Sequence, residues 1–360
     1  VNFKIYHIHK YSFIYYKYSD SGGKKVDIFA VRECVEDNYD IHVEYIEKIK
    51  NVYKIDNGSR CFCLKVINYD FGHFLFIILA IKHLQKSGFK NIPKIIHTKF
   101  KKSYIKVENS FAYLTPWINS RKADYDNDED VSMAALKLAE LHKKSFGFKL
   151  TRKMNPRVYW FKWIETFNTR ENEIMDFKKR ILNKDNKSEF DKLYFSKVPE
   201  QIEKCRYSID NLLKSNYMEK MKAEVRKNGF CHHDYANHNV LISPDGNMNI
   251  IDFDYCILDT HLHDLASLLI RKMKHGKWKM NNALLILDSY NSVNRITQDD
   301  IPIMAALMEF PQEYWQIGIQ YYWEKQRWDE ETFIKKLKKI FEDEGERQEF
   351  IEKFRIQKYN

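Results

Sequence analysis

The stretch from Phe230 to Tyr255, FCHHDYANHNVLISPDGNMNIIDFDY, restricts the fold of this 360-residue chain more than any other part of it. Asp234 is followed five residues later by Asn239, and an apolar triplet, Val240–Ile242, comes next. A Pro244-Asp245-Gly246 turn then leads into a second apolar run, Met248–Ile251, that ends on Asp252. Two short strand-like runs around such a turn predict a hairpin. The hairpin brings two separated points of the chain together, provided that Val240, Leu241, Ile242, Ile250 and Ile251 anchor it in a core. The side chains gathered in this way are oxygen donors. Phosphoryl transfer asks for such a set. One carboxylate orients the attacking hydroxyl and takes its proton, while two more oxygen ligands hold Mg²⁺ against nucleotide phosphates and offset the developing charge.

The flanking sequence divides into two regions of different character. Residues 1–40 read as an N-terminal extension that ends in a helix-like stretch, Val26 to Asn38. His42 to Lys50 and Asn51 to Asp56 carry the alternation of short strands, and Asn57-Gly58 before the alternating run Cys61–Ile67 marks a hairpin. Phe71 to Lys86 reads as a mostly buried helix with Gly88 in the stop position. Pro93 to His97, Tyr104 to Val107 and Phe111 to Ile118 complete a strand-rich unit over 41–118. The acidic stretch Asp124 to Asp130 reads as a loop feeding a helix over Val131 to Ser145. Residues 159–227 form a helical insert, broken at Asn183–Asn186 and restarted with Pro199 as the first helical residue. Helices resume from Leu262. The expectation is an α+β chain of two lobes, the larger, mainly helical one over 119–360 with the 230–255 hairpin set into it.

The loop and hairpin resemble the catalytic loop and metal-binding aspartate of the protein-kinase-like superfamily. The likeness is nearest to the aminoglycoside phosphotransferase and choline kinase branch, whose loop has the form H-x-D-x-x-x-x-N. Within that branch, CHHDYANHNVLI, IIDFDY and DLASLLIRKMK are similar to the CotS family of spore coat proteins. Weaker likeness in NVYKI, FCLKVI, HLQKSGFKNIPK and LTPWI extends it over nearly the whole chain. The resemblance implies a bilobal protein-kinase-like fold with a small strand-rich N-lobe. It also implies ATP- and Mg²⁺-dependent transfer of a phosphoryl group to a hydroxyl of a small metabolite, hydroxylated or amino-bearing, with a protein acceptor as the alternative.

Carried onto this sequence, the resemblance makes Asp234 the catalytic base and Asn239 and Asp252 the Mg²⁺ ligands. His232 packs the loop, and Asp264 supports it by hydrogen bonds. Lys65 in FCLKVI matches the nucleotide-phosphate lysine. Strand alternation adds that Cys61, Cys63 and Lys65 share one face, which places Cys63 near the adenine. Tyr113 to Trp117, in a hinge over 113–118, presents backbone groups to the adenine edge. Cytoplasmic synthesis, a place in the spore coat and other coat proteins as partners follow from the resemblance alone.

Two departures accompany it. The segment that would cover the phosphates, Glu47 to Val52, contains no glycine, so Lys48 or Lys50 must supply charge in place of close backbone amides. Phe71–Lys86 contains no Asp or Glu to hold Lys65, which leaves Asp252 or Asp70 as candidate partners. These departures keep a second reading open, a catalytically weak or inactive component of coat assembly. The converging oxygen groups weigh against it, although a fold alone does not establish a function.

Composition narrows the remaining classes. Hydrophobic residues at 44% and aromatics at 15% supply a core and exclude a disordered chain. The longest apolar run, Phe74 to Ile81, is far short of the roughly 20 residues of a membrane span. A formal charge of +10 favours anionic partners, but no readable motif points to nucleic acid. None of the six cysteines forms a C-x-x-C pair, so reduced thiols are expected, and the leading residues show no signal-peptide pattern. His232, His233, His238, His261 and His263 invite a metal-hydrolase reading, but adjacent His232 and His233 point in opposite directions, and carboxylate and amide donors favour Mg²⁺. His142 is expected to be a core residue. The aromatics Tyr314, Trp315, Tyr321, Tyr322 and Trp323 are expected to pack in the core in preference to forming a cation cage.

Overall fold

Alternating apolar residues in the first strands set the small lobe. In the computed structural model, which describes residues 27–359, five antiparallel strands form one sheet of order β1-β2-β3-β5-β4. They are β1 (Tyr45–Ile49), β2 (Val52–Asp56), β3 (Cys61–Ile67), β4 (Ile105–Val107) and β5 (Ser110–Pro116). Asn57-Gly58 turns β2 into β3. The Asn57 side chain accepts from the amides of Ser59 and Arg60, and Gly58 takes φ +80°, a conformation that L side chains rarely adopt. Tyr53, Ile55, Phe62 and Leu64 share one face of the sheet and bury Val31 and Val35 of α1 (Ile28–Asn38). The last part of the expected extension is thus packed on the small lobe, and residues 1–26 lie outside the described residues.

The other face of the sheet looks toward α2 (Phe71–Lys86) and the large lobe. Asp70 caps α2 by accepting from the His73 amide at 3.1 Å. Gly88 closes the helix at φ +81°, letting the Phe89 amide donate back to the Leu84 carbonyl at 2.9 Å. Pro93 to His97 does not form the expected strand; its sheet contact is a single bridge from Ile96 to Leu114.

The large lobe is built from α3 (Asp128–Ser145), α4 (Trp163–Leu182), α5 (Glu189–Lys214), α6 (Tyr217–Lys227), α7 (Leu262–Met273), α8 (Met280–Asn291), α9 (Asp300–Glu309), α10 (Gln312–Gly318), α11 (Glu330–Phe341) and α12 (Glu344–Ile356). Two expected boundaries move, each for a capping reason. α3 begins at Asp128, not Val131, because Asn127 caps it and three acidic residues suit its positive end. α5 begins at Glu189, where Ser188 and Asp191 form a capping box, and Pro199 lies inside the helix instead of starting it. The expected hairpin is β7 (Val240–Ile242) and β8 (Met248–Ile250), and β6 (Arg121–Lys122) joins it as a third strand.

One core runs from α2 through the large lobe to α12. Tyr314, Trp315 and Tyr322 are buried in it, with Tyr314 stacked on Tyr194 at 4.2 Å, and Tyr321 packs against it, whereas Trp323 is exposed, so the expected core packing fails at that one residue. All six cysteines are free thiols. Among the described residues no helix is long and apolar enough to cross a membrane.

Candidate active site

The register of the small sheet decides what faces the cleft. Lys65 on β3 pairs with Val52 and Tyr113, and Cys63 pairs with Lys54 and Thr115, so these side chains share the face turned from α1. Lys65 is only 4% exposed. Its Nζ lies 3.1 Å from Asp252 Oδ1 and 3.0 Å from Asp254 Oδ2. The lysine is therefore held from the large lobe, which accounts for an α2 without acidic residues. Asp70 caps α2 instead. Asp254 was not among the residues singled out from sequence.

Burial works against the charge of Lys65, but the two carboxylates outweigh it and raise its pKa. Burial likewise opposes ionisation of Asp252, and Lys65 nonetheless holds its carboxyl below the usual range. Burial, together with the charge of Asp252, pushes Asp254 up to about 7. Asp254 Oδ1 is buried with no hydrogen-bond partner. Asp252 itself stands at φ +65°, a strained conformation for a non-glycine residue, just before the short helical turn Phe253–Tyr255.

The second arm of the site is the loop before β7. Asn239 Nδ2 donates to the Asp234 carbonyl at 2.9 Å and to Asp234 Oδ2 at 3.0 Å, which leaves the amide oxygen of Asn239 on the opposite side. The Ile251 amide donates to the Asn239 carbonyl at 3.0 Å, and His232 Nε2 donates to the Ile251 carbonyl at 2.9 Å. Asp234, Asn239 and Asp252 are thus tied together through backbone bonds.

Helix α7 holds the loop at two points. Asp264 accepts from the amides of His232 and His233 at 2.7 and 2.8 Å, and from His142 Nε2 at 3.1 Å. Burial opposes its ionisation, but hydrogen bonds from His142 and His263 hold its carboxyl well below the usual range. About two helical turns further on, Arg271 Nη2 donates to Asp234 Oδ1 at 2.9 Å. The basic run Arg271–Lys279 reads in sequence as a solvated face, but Arg271 is turned inward to Asp234, and its spacing from Asp264 puts both on one face of the helix. His142, whose Nδ1 meets the Tyr290 hydroxyl at 2.8 Å, is a buried residue with both ring nitrogens engaged. It offers ligand atoms within 4.8 Å of Cys231 and Asp264. Burial raises the Cys231 thiol well above its ordinary pKa.

Other expected residues are placed differently. Glu47 to Val52 is not a loop: Lys50, at φ +58°, and Asn51 alone turn β1 into β2. Lys48 pairs with Tyr53, and Tyr53 with Leu64, so Lys48 is on the α1 face and lies 5.3 Å from the Tyr53 ring centre, away from Lys65. The cation brought to the cleft face is Lys54, 5.4 Å from the Trp117 ring centre. The Trp117 amide is engaged with the Cys61 carbonyl at 2.9 Å. Tyr113 is buried beside Lys65, and burial pushes the Cys63 thiol up to about 11.

The buried groups around this loop set a pH response. Burial holds His233 and His261 below the imidazole value of 6.5. Glu224 resists its burial cost through His261, 3.0 Å away, and stays ionised well below the usual range. A folded chain whose imidazoles stay neutral and whose carboxylates stay charged binds fewer protons than the unfolded chain below about 6.5, so stability falls as the pH falls. Asp259 and Asp254, which burial pushes up to about 6 and about 7, run the other way. These opposing groups offset one another above about pH 4. Around that value Glu224, Asp252 and Asp264 stay charged in the folded chain and protonate in the unfolded one. The expected result is a thermal midpoint that drops as the pH is lowered through about 4, measured by calorimetry; a rising midpoint there would contradict it.

The sequence matches the family described as "Spore coat putative kinase YutH", a CotS-like family, over residues 32–354. The chain belongs to this family. As a member it is a kinase-like protein, and the α+β bilobal fold is the one its sequence implied. Its fold is similar to that of an aminoglycoside phosphotransferase from Alicyclobacillus acidocaldarius, with a TM-score of 0.78 and 21% identity over 90% of this chain and 95% of that one. A spectinomycin phosphotransferase solved with ADP and spectinomycin gives 0.62 and 17%, over 90% and 97% of the two chains. An amicoumacin kinase solved with AMP-PNP, Ca²⁺ and Ami gives 0.59 and 12%, over 90% and 92%.

Proposed function

We propose that the chain is an ATP- and Mg²⁺-dependent phosphotransferase that acts on a hydroxyl of a small metabolite. The observation that carries this reading is the buried Lys65 bridging the lobes to Asp252 and Asp254, with Asn239 tied to the same strand end. Two carboxylates share one ammonium there, and a buried Asp254 oxygen has no partner. Hard oxygen donors of this kind suit Mg²⁺, so Asn239 and Asp252, joined by Asp254, would hold it. When bound, the metal supplies charge neutralisation at the phosphates. Lys65 pairs with phosphate oxygens, while Cys63 and Tyr113 line the nucleotide side and Lys50 stands at the covering turn. Asp234 accepts the hydroxyl proton at a carboxylate oxygen, with Asn239 and Arg271 fixing its orientation. His232 and Asp264 position the loop. The nucleotides bound to solved relatives of the fold support the cofactor, and family membership supports a place in the spore coat with other coat proteins as neighbours.

Thermal stability tests the nucleotide directly. MgATP at 100 times Kd should stabilise the native chain by about 2.7 kcal/mol, and Asp252→Ala should remove the Mg²⁺ dependence of that shift. A chain whose midpoint ignores ATP, ADP and GTP would instead be the coat-assembly component, the reading that the tight glycine-free turn at Lys50 favours.

A further inference from the structure

Next to Asp234 the large lobe opens a cavity whose exposed surface is almost wholly apolar. Trp163 and Phe167 come to it from α4, Ile270 from α7 and Leu307 from α9, with Phe310 just beyond. We infer that the acceptor carries its hydroxyl on an uncharged apolar body, aromatic or branched aliphatic, which this cavity takes up while the hydroxyl meets Asp234. This rests on the phosphotransfer reading, which makes the neighbourhood of Asp234 the acceptor side.

Arg271 sets the position, because it lines the cavity and donates to Asp234 Oδ1 at 2.9 Å. One side chain therefore stands between the cavity and the proposed base. The apolar wall is held in place by the core behind it: Phe167 stacks on Phe310 at 4.2 Å, and Trp163 on Tyr217 at 5.5 Å. Ile270 and Leu307 pack on that core but are only partly buried, which leaves aliphatic surface turned to the opening. Concave apolar surface of this kind gains about fourfold in affinity for each methylene that a ligand buries in it.

The charged side chains of the wall are engaged within the protein. Arg271 is paired with Asp234, and its Nε donates to Ser267 Oγ at 3.4 Å. Arg170 donates to the amide oxygen of Gln312 and rests 4.3 Å from the Trp315 ring centre, with Glu173 offsetting part of its charge. Arg347 donates to the backbone carbonyls of Met308 and Phe310 and is faced by Glu313, Asp343, Glu344 and Glu309. Glu313 in turn lies 3.6 Å from Lys274 Nζ. An ammonium or a carboxylate on the acceptor would shed its water here without gaining an ionic partner, which costs affinity. The cavity thus selects against the amino-bearing acceptors that the resemblance admits, and against acidic ones.

The test uses the full chain and four primary alcohols that share a four-methylene chain and end in a phenyl, isopropyl, ammonium or carboxylate group. Calorimetric titration without nucleotide keeps this outcome separate from the MgATP shift, which alone decides the nucleotide reading. The phenyl and isopropyl alcohols should bind about tenfold or more tighter than the two charged ones, and comparing them separates aromatic from branched aliphatic. Leu307→Asn and Ile270→Asn should each weaken binding of the apolar pair by about tenfold, and Leu307→Met should retain it, with circular dichroism confirming that each variant is folded. Either charged alcohol binding as tightly as the apolar pair would overturn the inference. So would apolar alcohols that fail to bind, or that bind unchanged in a folded Leu307→Asn or Ile270→Asn chain.

Discussion

Replacing Asp234 with Asn is expected to slow phosphoryl transfer by about 10²- to 10⁴-fold while MgATP binding stays nearly unchanged. The substitution keeps the size of the side chain and an oxygen that can accept from Asn239 or Arg271, so the loop retains its anchors. It removes the carboxylate proposed to take up the hydroxyl proton. Binding is spared because Lys65 is paired with Asp252 and Asp254 and not with Asp234. Single-turnover measurement of ADP formation, set beside the nucleotide-induced thermal shift, separates the two effects. Transfer within a few-fold of the parent chain would remove Asp234 from the role of base.

Asp264→Ala should cost about 3–5 kcal/mol of stability, the range for breaking a buried ionic network by deleting one partner. The Asp264 carboxylate is completely buried and accepts from two consecutive loop amides and from His142. Alanine leaves those three donors in a core with no water to replace the carboxylate, and each buried donor without a partner carries its own desolvation cost. The loop that carries Asp234 and Asn239 should loosen, so nucleotide-dependent stabilisation should weaken with the fold. Urea unfolding checks the number. A loss under about 1 kcal/mol would mean that Asp264 does not hold the loop, since even one unmade buried hydrogen bond costs that much.

Local chemistry made much of the fold readable. The bounds of α2 follow from its apolar run between an Asp cap and a Gly stop, and Asn57-Gly58 sits where β2 turns into β3. Where the reading moved, a stronger local signal competed: the Ser188–Asp191 capping box starts α5, and Pro199 is accommodated inside it. The two-residue strand β6 carries no periodicity of its own and exists because it pairs with β7. In the site, Asp234, Asn239 and Asp252 could be seen because a hairpin joins them along the chain. Lys48 was misplaced because the turn was read too long; with only Lys50 and Asn51 in the turn, alternation puts Lys48 on the α1 face. Asp254 and Arg271 are fixed by partners 189 and 37 residues away in sequence, a kind of contact that no local pattern announces.

The most direct measurement is a crystal structure of the full chain with Mg²⁺ and AMP-PNP. The expected result is a triphosphate between the lobes, with Lys65 on its oxygens and metal density against the Asn239 and Asp252 side chains. A nucleotide bound outside this cleft, or a cleft still closed by the Lys65–Asp252 pair at saturating MgAMP-PNP, would contradict it.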